Sequence, residues 1–122
     1  MRKAFLFTTS ILLSVYGFVS CSKDGGGGGG GGGTTVDCNT VTNRAFATDI
    51  NPIIQNSCSL AGCHAAGSGN GPGALTNYNQ VFNARTTIRS AVSSGRMPQG
   101  SSLSANQKNS ILCWIDGGAP NN

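Results

Sequence analysis

The chain has 122 residues, 38% of them hydrophobic and 10% charged, with a formal net charge of +4. That length holds one small domain. From Cys38 onward Arg44, Arg85, Arg89, Arg96 and Lys108 face only Asp49 and Asp116, a balance too mild to argue for nucleic acid, with no basic stripe interleaved with aromatics.

Residues 1–20 read as a signal peptide. Arg2 and Lys3 form a positive start, and an apolar stretch runs from Ala4 to Val19. It stops at a small residue and a cysteine, the layout of a secretion signal rather than of a spanning helix. Phe18-Val19-Ser20-Cys21 resembles the lipobox of bacterial lipoproteins, with Phe18 where Leu is usual. The resemblance implies cleavage before Cys21, lipid on the Cys21 thiol, and stable anchoring to a membrane of the bacterial envelope, the outer membrane first, with the domain in the periplasm or at the cell surface. The alternative is an ordinary signal peptide cut nearby, leaving Cys21 a stray thiol.

Residues 21–37 read as a lipid-anchored, disordered linker, because nine consecutive glycines hold no defined backbone. As a coil, residues 22–37 reach roughly 20–24 Å. The folded domain is then 38–122. A core this small usually needs a staple in an exported protein.

The expected elements are helical. Asn51 is a candidate N-cap with Pro52 at the first helical position, leading into Cys58, and a turn over 46–50 is an option before it. "SCSLAGCHAAG" follows at 57–67, and "GSGNGPGAL" at 67–75 is loop. Tyr78, Val81, Phe82, Arg85, Ile88 and Val92 recur at helical spacing and stop at Gly95. "SGRMPQG" is a loop, and Ser104 with Gln107 reads as a capping box for a last helix ending at Gly117. Arg85, Arg89 and Arg96 read as solvated charges.

Five cysteines are an odd count for an exported chain. With Cys21 assigned to lipid and Cys58 and Cys63 set beside His64, Cys38 and Cys113 remain, one near each end of the domain. A disulfide between them is the expected staple.

His64 is the only histidine and follows Cys63 directly. C-x-x-C-H is the attachment signature of c-type haem, in which two thiols become thioethers and the histidine ligates iron. Here the spacing is C-x4-C-H, and Gly62 gives the longer loop backbone freedom. Three other readings stand beside haem: a Cys58–Cys63 disulfide loop with His64 exposed, a Cys3His zinc site, and chance. An oxidising compartment disfavours the zinc site. Met97, the only methionine after the signal, sits in a loop 33 residues beyond His64. It suits the second axial position of a His/Met haem, against a plain packing role.

With these residues in place, the chain resembles class I cytochromes c, and more narrowly small bacterial monohaem cytochrome lipoproteins. The resemblance rests on "DINPII" at 49–54, "CSLAGCH" at 58–64, Gly71-Pro72, "MP" at 97–98 and "WIDGGAPNN" at 114–122. It implies an all-α domain of about three helices wrapped around one covalent haem c with its iron. It also implies that the Pro72 carbonyl accepts from His64 Nδ1, and that Phe46, Ile50 and Ile53 meet Leu112, Trp114 and Ile115 where the first and last helices cross. Arg96 then has a second option, the approach to a haem propionate.

The function expected is electron transfer with a redox partner protein or membrane respiratory complex, not catalysis. No carboxylate pair, activated serine or second histidine is present for acid–base work. The alternatives are a haem-free, disulfide-stapled binding module, and a five-coordinate haem that binds a gas or reduces peroxide.

Overall fold

The computed structural model describes residues 36–122. The signal peptide assigned to 1–20, Cys21, and the linker up to residue 35 lie outside the described residues. Within them the protein is all-α, with three α-helices and no strand: α1 (Asn51–Ser57), α2 (Tyr78–Ser93) and α3 (Ala105–Asp116), with a π-helical turn at Phe46–Ile50 leading into α1. None of these helices is long and apolar enough to cross a membrane.

Asn51 is not the N-cap of α1. Its backbone is helical (φ −57°, ψ −46°), and the chain runs helical from Phe46 straight through it. The reason lies in Pro52, which has no N–H and whose ring would crowd the carbonyl four residues back in a regular helix. The turn before it is wide instead, with Ile50 N–H donating to Ala45 O at 3.1 Å and Asn51 N–H to Phe46 O. The Asn51 side chain accepts from Gln55 Nε2 at 3.1 Å.

The start of the helical segment is capped partly from far along the sequence. Ala45 N–H donates to the Asp49 carboxylate (2.9 Å), Phe46 N–H to Asn122 Oδ1 (2.9 Å) and Ala47 N–H to Asn122 O (2.8 Å). The segment after α3 therefore folds back as a hook. Its turn places Ala119 at φ 52°, fully buried, with the Ala119 carbonyl accepting from Tyr78 OH and the Pro120 carbonyl from Trp114 Nε1, each at 2.9 Å. The tail thereby satisfies donors that the core would otherwise bury unpaired.

α2 starts where Asn77 accepts from Gln80 N–H at 3.1 Å. α3 starts with the reciprocal capping box of Ser104 and Gln107 and gives way to Gly117. The π-helical turn and α2 both pack on α3. Phe46 meets Trp114 with ring centroids 5.4 Å apart and Tyr78 edge-on at 5.0 Å. Ile50, Ile54, Val81, Ile111 and Trp114 are fully buried, each worth roughly 1.5–3 kcal/mol of transfer free energy where the side chain is aliphatic or phenyl-sized. Ile53 and Ile115 are only partly buried, while Ile54 and Ile111 form the deeper layer.

Cys38 and Cys113, 75 positions apart in sequence, are joined by a disulfide with Cα atoms 5.4 Å apart. The Lys108 ammonium donates to Ser93 O at 2.9 Å, tying α3 to the C-terminal end of α2, where a cation suits the helix dipole. Arg89 pairs with Asp116 at 2.6 Å across the same two helices, holding that carboxyl below its ordinary pKa. Arg85 is not fully solvated either. It folds over the Phe82 ring at 4.1 Å and donates to Phe82 O at 2.8 Å.

Candidate functional site

A cleft of about 630 Å³ opens between the α1–α2 loop and the C-terminal half of α2 with its following loop. That volume lies in the range of cofactor and small-molecule sites, roughly 300–1,000 Å³. Ile54, Leu75, Ile88, Ala91 and Val92 give it apolar walls, and Cys58, Cys63, His64, Pro72 and Met97 all line it. Every residue that the sequence assigned to the haem therefore contributes to this one cavity.

The loop from Cys58 to Leu75 is held by its own backbone. Cys63 N–H donates to Leu60 O at 2.9 Å, closing the turn that carries the two additional residues of the C-x4-C spacing. Leu60 stands on this turn, 46% exposed, at the edge of the cleft. Gly62 takes φ +79°, the conformation that a longer loop demands and that a side chain would strain. His64 N–H donates to Cys58 O at 3.1 Å, and Leu75 N–H donates to His64 O at 2.9 Å. The Asn70 side-chain amide donates to Gly62 O (2.8 Å) and Cys63 O (3.1 Å), and Ser59 and Gln55 both donate to Leu75 O.

The His64 ring is 7% exposed, and its Nδ1 lies 2.9 Å from the carbonyl of Gly73. A carbonyl only accepts, so Nδ1 carries the proton, which in the neutral ring leaves the lone pair on Nε2. The acceptor is thus Gly73, one residue beyond the Pro72 carbonyl expected from the resemblance. Gly73 closes a turn onto Asn70 O with φ +102°, a conformation open to glycine at no steric cost, and this brings its carbonyl to the ring. Pro72 lines the cleft without making that bond.

Cys58 and Cys63 are both free. Burial pushes the Cys58 thiol above its ordinary pKa, and charge on Cys63 adds to the effect, so Cys58 is a neutral thiol at pH 7. The disulfide-loop reading of this pair does not describe the structure. The Cys3His zinc reading loses two ligands to the Cys38–Cys113 bond, and among the described residues no three His, Cys, Asp or Glu side chains converge as a metal-ion site.

Met97 reaches the cleft from the end of α2. Gly95, at φ +73°, turns the chain out of the helix with its N–H on Val92 O, and Met97 N–H donates to Ala91 O at 3.2 Å. The methionine backbone is thereby pinned to the helix end, and Pro98 follows on the cleft wall. Lys108 lies outside the cleft lining, with its ammonium on Ser93 O. The chemistry gathered here is two unpaired thiols, an imidazole with one oriented lone pair and a thioether, around an apolar space. No protein-family model, curated protein or solved structure matches the chain.

Proposed function

We propose that the protein is a monohaem c-type cytochrome, similar to class I cytochromes c, that carries single electrons while tethered by lipid on Cys21 to a bacterial envelope membrane. The observation that carries this reading is that Cys58, Cys63, His64 and Met97 line one cleft of cofactor size. The donor set fits the group: two free thiols for thioether links, one nitrogen and one sulfur ligand of the kind such iron takes.

When bound, haem supplies a one-electron iron couple. The chain's own residues hold and tune it. Gly73 O fixes the His64 tautomer and ring orientation, as outer-shell acceptors do for ligating histidines. Met97, presented by the Gly95 turn, would serve with His64 as a ligand to the iron, and a thioether sulfur would raise the potential relative to two histidines. Ile54, Leu75, Ile88 and Val92 form apolar wall that would keep water from the bound group. Iron held by both His64 and Met97 would suit electron transfer to a redox partner protein or a membrane respiratory complex rather than the binding of oxygen or peroxide.

The test is covalent attachment. Protein matured in an envelope with haem-attachment machinery should give a pyridine haemochrome spectrum and retain its colour through acid–acetone extraction and a denaturing gel. A colourless protein with both thiols titratable would sink the proposal and leave a disulfide-stapled binding module.

A further inference from the structure

The cleft is largely apolar, with uncharged polar side chains such as Asn70, Thr87 and Gln99 at its wall and a cation at one place. Arg96 is the only Lys, Arg or Asp side chain among the residues that line it. Most of the domain's other cations are already engaged: Arg89 with Asp116, Arg85 over Phe82, and Lys108 on Ser93 O. Arg96 is exposed and forms no ion pair among the described residues. Its backbone is nonetheless fixed, because it stands between Gly95, which turns the chain out of α2, and Met97, whose N–H is bonded back to Ala91 O.

A lone guanidinium on the wall of a largely apolar cavity suits a ligand of matching character, an apolar body carrying an anionic group at its edge. Its five donors in a planar fork match a carboxylate in particular. We infer that Arg96 is the carboxylate-binding residue of the cleft, pairing with a propionate of the haem and thereby raising the reduction potential. The inference rests on the haem reading of the same cleft. Its physical basis is that an unpaired carboxylate near the iron favours the more positive ferric state, and a paired guanidinium cancels that preference. Arg96 is exposed, so salt would screen such a pair in part.

The experiment uses the mature haem protein in three forms: wild type, Arg96→Leu and Arg96→Lys. Arg96 is exposed, and neither substitution disturbs a core contact, which far-ultraviolet circular dichroism checks. Spectroelectrochemistry should show the leucine variant shifted to lower potential by about tenfold in its redox equilibrium constant, or 59 mV for one electron. The lysine variant should recover much of that shift. A general charge effect would produce the same pattern, so a second readout is needed. The resonance Raman propionate bending mode should move in the leucine variant and differ again in the lysine variant, because a compact ammonium cannot reproduce the bidentate fork. Haem bound covalently with potential and propionate mode unchanged in the leucine variant would overturn the inference while leaving the cytochrome reading intact. Absence of covalent haem in all three would remove both.

Discussion

At the residue scale, the site depends on two short backbone devices that aim two side chains. Gly73 aims His64, and the Gly95 turn aims Met97. The sequence singled out a lone histidine after a cysteine pair and a lone methionine in a Gly/Pro loop, and the structure brings these residues to one cleft. The acceptor for His64 was not legible. Pro72 and Gly73 are adjacent, and which carbonyl meets the ring depends on the φ of +102° at Gly73, which side-chain chemistry does not encode. The Met97 backbone bond survives truncation of the side chain, so Met97→Ala should keep the fold. It should abolish the weak near-infrared sulfur-to-iron band of the ferric protein and lower the reduction potential. A wild-type ferric spectrum that is already high-spin, with ready carbon monoxide binding on reduction, would mean that Met97 is not a ligand and that the gas-binding or peroxidase reading is correct.

At the element scale, the helices that announce themselves by local chemistry are found where expected: α2 follows the spacing from Tyr78 to Val92, and the Ser104–Gln107 box caps α3. The first helical segment differs because its cap is not local. A sequence window around Asn51 cannot include Asn122, 76 positions from the Phe46 N–H that its side chain accepts. The one available hint was the terminal Gly-Gly-Ala-Pro run, which must turn sharply after α3. The hook makes a graded prediction. Asn122→Ala removes one side-chain acceptor and should cost roughly 0.5–1.5 kcal/mol in denaturant unfolding. Deleting residues 119–122 also strips the acceptors of Ala47 N–H, Tyr78 OH and Trp114 Nε1, and should cost several times as much, with exposure of Trp114 visible in its fluorescence. Equal stability of the full and shortened chains would show that the tail rests passively on the core.

At the scale of the whole molecule, the protein divides its work between two regions. The cleft is lined entirely by residues between Ile54 and Ser101, whereas the π-helical turn and α3 form the packed side with the disulfide. Cys21, the proposed lipid site, precedes Cys38 in the sequence and is among the residues of neither region. Cys21→Ser should therefore release the domain into the soluble fraction with its visible spectrum unchanged; a variant that stays with the membrane would mean a different anchor.

The disulfide bears on stability in the same way, independently of the cleft. Joining positions 75 apart restricts the unfolded chain, and the chain-entropy relation puts that at about 4–5 kcal/mol for a loop of this length. A small domain is stable by only about 5–15 kcal/mol, so this one bond accounts for much of the margin. Reduction tests it more cleanly than mutation, because Cys113 is buried in the core and a substitution there would change packing as well. Among the described residues a phosphine reductant has only this bond to cleave, since Cys58 and Cys63 are outside any disulfide. The guanidinium midpoint should fall sharply on reduction while the visible spectrum under native conditions stays the same. An unchanged midpoint would mean that the unfolded chain is already restrained by another link, and a changed native spectrum would mean that the disulfide side and the cleft are coupled after all.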